Sequence, residues 1–283
     1  MNILYCGDKI IADGLMISIL SLLRTVKEPL HISILTMSCQ YGGRTWEPLP
    51  ESLAAGLDRR VREASPGSRV RWFDLTALFS REMPVANMDT RFTPCCMLRL
   101  FADQVPELSG RILYLDNDVV CRKDPGEFYH QDLSGCELAG VLDYYGRWFF
   151  RRSPFRLDYL NSGVLLLDLD RIRQTGLFAK CRSRCREKKM FMPDQSAINK
   201  LALARKTCPR RYNEQRKLHG DTVFQHFTTS FRFFPWIRTV TVKPWQLDRM
   251  HDVLKLHEYD NLLEAYMVWK DGFRASEAQE AKL

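Results

Sequence analysis

Two aspartates at the end of an apolar segment are the residues whose type and spacing first suggest chemistry. Asp116 and Asp118 flank Asn117 in I-L-Y-L-D-N-D-V-V, which covers 112–120. Alternate residues of an extended strand point to the same side, so both carboxylates converge on one ion if the strand continues to Asp118. Paired oxygen ligands suit a hard divalent cation such as Mg²⁺ or Mn²⁺. The pair predicts a metal site, and the alternative is an Asp/Asn turn after a strand.

Further polar residues lie where other strand-like segments begin or end. Asp8 follows the N-terminal segment N-I-L-Y-C, Asp143 follows the short apolar segment 138–142, and Asn161 begins Y-L-N-S-G-V-L-L-L-D. Ligands of α/β sheets bind beyond the carboxyl ends of the strands. Asp8 and the aspartate pair are therefore expected to line one crevice.

The elements that must position these residues alternate between strand and helix over the first 120 residues. Such alternation predicts an α/β fold with a Rossmann-like, mostly parallel central sheet flanked by helices. The predicted strands cover 2–6, 31–37, 69–73 and the segment from 112, and the predicted helices cover 12–26, 51–64 and 94–102.

The second half of the chain continues with a strand over 159–168 and a long basic helix over 171–189, whose charged side chains are expected to form its solvated face. Asp194 and Gln195 then begin another predicted helix, where a carboxylate interacts favourably with the helix dipole. His226 lies in the strand-like segment T-V-F-Q-H-F, and a histidine in such a segment is ordinarily a core residue. The segment 260–269 is expected to form an amphipathic helix that docks on the domain or on a partner.

The charge balance indicates an anionic partner. The 283 residues carry a formal charge of +8 and are 45% hydrophobic, as is usual for a globular protein. A nucleic acid, a membrane surface or a phosphorylated small molecule would each satisfy this charge. No nucleic-acid-binding motif accompanies it, so no nucleic-acid partner is expected. The oligomeric state is left open.

The apolar segments and the cysteines predict a cytoplasmic location, with peripheral contact at the inner face of the membrane as an addition. No segment approaches the roughly 20 apolar residues of a membrane span, and no signal peptide is apparent. The nine cysteines are an odd number, which favours reduced thiols over disulfides or a zinc site. They are Cys6, Cys39, Cys95, Cys96, Cys121, Cys136, Cys181, Cys185 and Cys208.

Seven short motifs follow one another along roughly residues 1 to 245. They are I-L-Y-C-G-D, R-L-F-A-D, Y-L-D-N-D-V, L-N-S-G-V-L-L-L-D-L, P-D-Q-S-A-I-N, R-Y-N and a late H-F. The ordered set resembles the family 8 retaining glycosyltransferases, which include lipopolysaccharide galactosyl- and glucosyltransferases and glycogenin. The resemblance implies a GT-A nucleotide-sugar-binding domain over 1–245 and a smaller helical or irregular extension over 246–283.

The resemblance also implies an activity and its cofactor. A family 8 enzyme moves a hexose, here galactose or glucose, from a UDP-sugar donor to a glycan, lipopolysaccharide, glycolipid or glycoprotein acceptor. It binds Mn²⁺ or Mg²⁺ and retains the anomeric configuration. The implied metal ligands are Asp116, Asp118 and His226; the implied donor-binding residues are Asp8, Arg99, Asp116, Asn117, Asp143 and Lys243; the implied catalytic residues are Asn161, Asp194 and Gln195.

Two departures from the family pattern leave roles open. The family often ends in H-x-x-G-x-x-K-P-W, whereas here an insertion separates His226 from V-K-P-W. Lys243 is the expected phosphate-binding cation, and Arg232 is the alternative. Ile11 stands where the family often has an aromatic residue, so stacking on uracil would come from elsewhere. Gln195 is a poor nucleophile, which favours same-face transfer over a covalent intermediate, with Asp194 and Asp143 as backup carboxylates.

Three other functions compete with the transferase. A haloacid dehalogenase-type phosphatase would use Asp116 as nucleophile and Asp118 as general acid, but its motif belongs on the first strand and here three strands precede it. A non-catalytic basic protein that binds anions would need no such motif set. A nucleotidyltransferase would usually carry a glycine-rich N-terminal loop. The acceptor is expected near 83–93, near Trp236 or at the aromatic and basic segment 144–152.

Overall fold

A computed structural model describes residues 1–90, 92–149, 158–232, 236 and 238–280. The strands are β1 (Asn2–Cys6), β2 (His31–Thr36), β3 (Cys39–Tyr41), β4 (Arg44–Trp46), β5 (Arg69–Asp74), β6 (Arg111–Leu115), β7 (Val119–Cys121), β8 (Leu138–Leu142), β9 (Leu160–Asp168), β10 (Arg205–Thr207), β11 (Phe224–His226), β12 (Ser230–Arg232) and β13 (Arg238–Val240). The α-helices are α1 (Ala12–Thr25), α2 (Glu51–Ala64), α3 (Thr76–Arg81), α4 (Gly126–Tyr129), α5 (Gly146–Phe149), α6 (Leu169–Thr175), α7 (Leu177–Glu187), α8 (Pro193–Leu201), α9 (Leu247–Arg249) and α10 (Asp260–Glu280). Short 3₁₀ segments lie at Lys9–Ile11, Val85–Asn87, Pro94–Gln104 and Arg210–Tyr212, and a π-helical turn lies at Met250–Leu254.

The central sheet has seven strands in the order β10-β8-β9-β6-β1-β2-β5. All neighbours pair in parallel except β9, which runs antiparallel to both β6 and β8. The expectation of a mostly parallel α/β sheet is confirmed. Because β9 is reversed, its first residues lie beside the carboxyl ends of β6 and β8, where the functional residues of an α/β sheet gather.

Helices cover both faces of this sheet because each presents an apolar stripe to it. In α2, Leu53, Leu57 and Val61 recur every four residues and are buried. The helix α1 lies in a core with the N-terminal strands and the C-terminal residues, and Phe101 and Phe178 belong to the core on the other face. The sheet therefore stands as the middle of three layers.

The predicted basic helix over 171–189 is wrong as one continuous element. Gly176 adopts a left-handed conformation (φ +67°), which ends α6 and lets α7 begin. The expectation that its charges all face solvent is also wrong for Arg182. That side chain is buried, and it pairs with Glu82 at 2.8 Å and Asp103 at 2.6 Å.

The C-terminal extension packs against the N-terminal helices. Leu262 and Tyr266 of α10 are buried in the same apolar core as α1, and Lys270 pairs with Asp13 at 2.9 Å. The helix that was expected over 260–269 therefore forms, docks on the domain and continues to Glu280.

Two sequence expectations concern features outside the sheet. All nine cysteines are free thiols, as expected from their number. Among the described residues, none of the helices combines the length and the apolar character that crossing a membrane would require.

Candidate functional site

Two carboxylates and an imidazole converge beyond the carboxyl end of β6. The strand stops at Leu115, so the extended geometry does not continue to Asp118 and is not what brings the two carboxylates together. A turn separates β6 from β7 instead, and β7 pairs antiparallel with β11 so that Val119 lies opposite His226. This register, between residues about a hundred positions apart, places the imidazole beside the aspartates.

The ligand atoms of these three side chains are close enough to share one ion. Nε2 of His226 lies 3.2 Å from Oδ1 of Asp118 and 3.6 Å from Oδ2 of Asp116. All three candidate ligand atoms lie within 4.8 Å of one another. Carboxylate oxygens together with an imidazole nitrogen are a donor set that divalent cations accept. The three predicted metal ligands are thus brought together.

Asp118 is buried and is ionised nonetheless. Burial alone would raise the pKa of its carboxyl group, but Lys243 and His226 hold that pKa below the usual value. The ammonium group of Lys243 donates a hydrogen bond to Oδ2 of Asp118 and another to the carbonyl of Phe227 at 3.1 Å. A cation already neutralises this carboxylate, as a buried negative charge requires.

Gly163 makes room for the cluster. A Cβ atom at this position would overlap the ring of His226, with Nδ1 only 2.6 Å away, and would lie 2.8 Å from Oδ2 of Asp116. The backbone of Gly163 also accepts a hydrogen bond from the amide of Asp116 at 2.8 Å. The glycine of L-N-S-G is therefore a requirement of the cluster's packing, not only of the strand.

Arg99 joins the aspartate cluster to the helix α8. Its guanidinium donates to Oδ1 of Asp116 at 3.0 Å, pairs with Asp194 at 3.2 Å and lies over the ring of Tyr114. Burial acts to lower the pKa of Arg99, but Tyr114 and the two carboxylates raise it well above its usual value. The arginine is a buried cation between the partly exposed carboxylate of Asp116 and the buried carboxylate of Asp194, which fixes both side chains.

A network of amides and carboxylates lies next to this arginine. Gln195 accepts a hydrogen bond from the amide of Ser162 at 3.0 Å and donates to Asp143 at 3.2 Å. Asn161 donates to the same oxygen of Asp143 at 2.9 Å. Asp194 accepts a hydrogen bond from the hydroxyl of Ser162 at 3.2 Å. The predicted sugar-side residues therefore form one connected, buried set.

Asn213 connects this network to the metal cluster, and the sequence interpretation assigned it no role. Its Nδ2 donates to Oδ1 of Asn161 at 2.9 Å, and its Oδ1 lies 3.3 Å from Nδ1 of His226. The residue is completely buried. Asn213 is the last residue of the motif R-Y-N, so the sequence does mark its position. The motif alone does not indicate that this asparagine contacts the imidazole.

The remaining predicted donor residues lie nearby but make local contacts. Asp8 follows β1, the neighbour of β6, and its carboxylate accepts a hydrogen bond from the amide of Ile10 at 3.1 Å. Burial raises the pKa of Asp8. Asn117 packs against Gly14, where a Cβ atom would lie 2.5 Å from the Asn117 carbonyl oxygen. The side chain of Arg232, the alternative phosphate-binding cation, lies outside the described residues.

A cleft of about 440 Å³ lies beside the cluster and shares His226 with it. Its wall carries a tyrosine and several basic residues: Tyr144, Arg210, Arg216, Lys217 and His219. The sequence makes the segment 144–152 a candidate acceptor region. Residues 150–152 of this segment lie outside the described residues. Of the two other candidates, Trp236 is 80% exposed, and the segment 83–93 includes the 3₁₀ turn Val85–Asn87.

Comparisons with known proteins agree on one family and one fold. The sequence model of Glycosyl transferase family 8 matches residues 2–248. The chain is 37% identical over 124 residues to the lipopolysaccharide 1,2-glucosyltransferase of Escherichia coli and 30% identical over 103 residues to the glycosyltransferase GlyF of Streptococcus pneumoniae. These alignments cover 41% and 36% of the chain and 37% and 24% of the relatives, so the chain matches well under half of their length.

Solved structures share the architecture across almost the whole chain. An active-site mutant of LgtC superposes with a TM-score of 0.68, covers 93% of this chain and 94% of its own, and is 16% identical. The galactosyltransferase LgtC in complex with donor and acceptor sugar analogues gives a TM-score of 0.64 at 16% identity, over 95% and 96% of the two chains. At this identity the likeness establishes the fold, which is of the GT-A type.

Proposed function

The chain belongs to glycosyl transferase family 8, and we propose that it transfers a hexose, galactose or glucose, from a UDP-sugar to a glycan acceptor with retention of configuration. The observation that carries the proposal is the convergence of Asp116, Asp118 and His226 within 4.8 Å, directly beside a buried amide and carboxylate network. One half of this arrangement suits a metal-bound diphosphate, and the other half suits sugar hydroxyls. The acceptor class we propose is the glycan of a lipopolysaccharide or another glycoconjugate.

The side chains at the cluster fit a divalent cation. Gly163 leaves the space that the imidazole occupies, and the Lys243 ammonium group shows that a positive charge is accommodated at Asp118. Asp116, Asp118 and His226 would hold Mn²⁺ or Mg²⁺. The bound ion would act as a Lewis acid toward the oxygens of the donor diphosphate.

The surrounding residues have distinct proposed tasks. Asp8 would accept a hydrogen bond from uracil, Asn117 would contact the ribose or the sugar, and Lys243 would move from Asp118 to the diphosphate. Arg99 holds Asp116 and Asp194 apart in fixed positions. Because the two carboxylates share one buried guanidinium, neither needs to rearrange when a donor binds.

Sugar recognition falls to the network around β9 and α8. Asp194 would hydrogen-bond hydroxyl groups of the hexose, while Asn161 and Gln195 would face the reacting carbon. The carboxamide of Gln195 is held by Ser162 and Asp143. A neutral amide is a poor nucleophile but a good dipole for a developing positive charge, which supports same-face transfer in which the departing phosphate accepts the proton of the acceptor.

None of the three alternative functions is supported. Family membership identifies a glycosyltransferase, so the phosphatase, the non-catalytic anion-binding protein and the nucleotidyltransferase are set aside. Oδ1 of Asp116 also accepts hydrogen bonds from Arg99 and from the hydroxyl of Tyr114 at 2.7 Å, which leaves it poorly placed as a nucleophile. The cytoplasmic location, with peripheral contact at the inner face of the membrane, stays a prediction.

One experiment tests the proposal. The protein is incubated with Mn²⁺ and a panel of UDP-sugars, and released UDP and the thermal shift are measured. We expect stabilisation by UDP plus Mn²⁺ that Asp118→Ala abolishes and that Asp221→Ala, a change at an exposed aspartate, preserves. Release of phosphate from a generic ester without any response to UDP would refute the proposal.

A further inference from the structure

Among the described residues, the lining of the cleft beside the metal cluster carries several basic side chains and no acidic one. Its described lining includes Arg210, Arg216, Lys217 and His219, and none of the described lining residues is an aspartate or a glutamate. The positive charges of the two arginines and the lysine repel one another across this cleft. A recess that concentrates them attracts an anion and holds it better than a flat surface would.

The positions of these cations are built into the fold. The carboxylate of Glu214, which is 1% exposed, pairs with Arg210 at 2.5 Å. It also accepts hydrogen bonds from the backbone amides of Arg216 at 2.9 Å and Lys217 at 3.2 Å. The buried carboxylate of Glu214 therefore fixes the loop that carries Arg210, Arg216 and Lys217. These three cations outnumber the one anion, so the loop keeps a net positive charge.

Tyr144 organises the same cations from the opposite side. The guanidinium of Arg216 donates to its hydroxyl at 2.7 Å and lies 4.6 Å from the ring centroid. Arg210 and Arg147 approach the same ring at 5.5 Å and 5.2 Å. A guanidinium group is a planar fork of five donors that matches phosphate oxygens, and a single contact to Tyr144 or Glu214 uses only part of it.

The size and the other wall of the cleft limit what binds there. A volume of about 440 Å³ is that of a small-molecule site and is too small for a nucleic-acid duplex. Val240, Val242 and Leu254 form an apolar part of the lining, which suits the C–H face of a sugar ring. His226 lies in the lining as well, so a sugar in the cleft would lie next to the proposed donor site.

From these contacts we propose that the acceptor carries a phosphate monoester, and that Arg210, Arg216 and Lys217 bind this phosphate while the acceptor sugar occupies the cleft. This inference rests on the proposed glycosyltransferase reaction and names the chemical class of its acceptor. The positively charged loop would thereby select phosphorylated over neutral glycans.

The test uses protein saturated with UDP and Mn²⁺, so that the donor diphosphate site is already filled. Hexose and heptose monophosphates and their unphosphorylated parents are titrated into this complex by calorimetry. We expect at least one phosphorylated sugar to bind about tenfold more tightly than its parent, as one or two charge-assisted hydrogen bonds allow. Arg216→Gln and, separately, Lys217→Gln should each remove most of that preference.

The control is Arg59→Gln, on the exposed face of α2 beside the opposite edge strand β5, which should change nothing. Two variants are used so that a folding defect in one does not decide the result. If UDP binds but no phosphorylated sugar is preferred, the inference is overturned and the proposed function stands. If the arginine variant weakens UDP binding itself, the cations serve the donor and the inference is overturned. If UDP does not bind, both proposals fail.

Discussion

Oδ1 of Asn213 lies 3.3 Å from Nδ1 of His226, and this contact assigns the two nitrogens of the imidazole different tasks. When Nδ1 carries the proton and donates it to the amide oxygen, Nε2 is left as a lone pair that faces Asp116 and Asp118. Asn213 thus orients a metal ligand without contacting the metal site itself. Through Asn161 it also ties that ligand to the sugar side of the site.

Asn213→Ala is therefore expected to weaken Mn²⁺ binding by about 10- to 100-fold, the usual effect of losing an orienting partner. The measurement is a Mn²⁺ titration followed by electron paramagnetic resonance. Asn213→Asp keeps the acceptor for His226 and removes only the donor to Asn161, so it should retain Mn²⁺ affinity while lowering transfer. Equal Mn²⁺ affinities for the alanine variant and the parent protein would show that Asn213 has no part in orienting the imidazole.

Gly163→Ala tests the packing around the same imidazole. The added methyl group would overlap the ring of His226 and crowd Asp116, so the arrangement of the three ligand atoms must change. We expect the stabilisation by UDP plus Mn²⁺ to disappear while the circular dichroism spectrum stays that of the folded protein. Gly220→Ala is the matched control, because a Cβ there meets nothing within 4 Å. An undiminished thermal shift in Gly163→Ala would exclude His226 as a required ligand.

The site shows which features a sequence pattern can reveal. Asp116, Asp118 and His226 were predicted together because their motifs occur in order, and the structure brings them within reach of one ion. The route by which they converge was not predictable. It depends on the pairing of Val119 with His226, a contact between distant segments that no local periodicity encodes.

The fold, like the site, has features that the local sequence predicts and features that depend on contacts between distant segments. The apolar segment of β9 predicts a buried strand, but a strand covered on both faces reads the same in either direction. Its antiparallel direction is set by its neighbours, and that direction brings Asn161 to the site. Arg182 shows that the local sequence can also mispredict whether a charged side chain is buried. Its place in a basic segment suggests solvent exposure, whereas Glu82 and Asp103, about 80 to 100 residues away, draw it into the interior.

Asp194→Asn tests the proposed division between donor binding and transfer. The carboxylate pairs with Arg99 and accepts a hydrogen bond from Ser162 in the sugar-side network, and it is not one of the three proposed metal ligands. We expect the transfer rate to fall by about 100-fold, the size of effect that a small misplacement of substrate produces, while UDP affinity is unchanged. Initial rates and calorimetry with UDP measure the two quantities. Asp248→Asn, at an exposed position of α9, is the control, and loss of UDP binding would place Asp194 at the nucleotide instead.

Asp8→Asn tests whether a buried carboxylate is kept for the nucleotide at the expense of stability. Burial raises the pKa of Asp8 in the folded protein above its unfolded value, so the folded state binds the proton more tightly. The stability that the protonated carboxyl group of Asp8 contributes is therefore lost as the pH rises from about 4. At neutral pH the ionised carboxylate lowers the stability of the folded state. Asparagine keeps an acceptor for the Ile10 amide without the charge.

The melting temperature of Asp8→Asn should exceed that of the parent protein by about 2 °C at pH 7 and match it near pH 3.5. UDP affinity should fall about fivefold if the carboxylate accepts a hydrogen bond from uracil, because a charged acceptor binds more strongly than an amide. Thermal melts across this pH range and UDP titrations check both statements. A variant that is less stable than the parent at pH 7 would mean that the Asp8 charge stabilises the fold, and unchanged UDP affinity would separate Asp8 from the nucleotide.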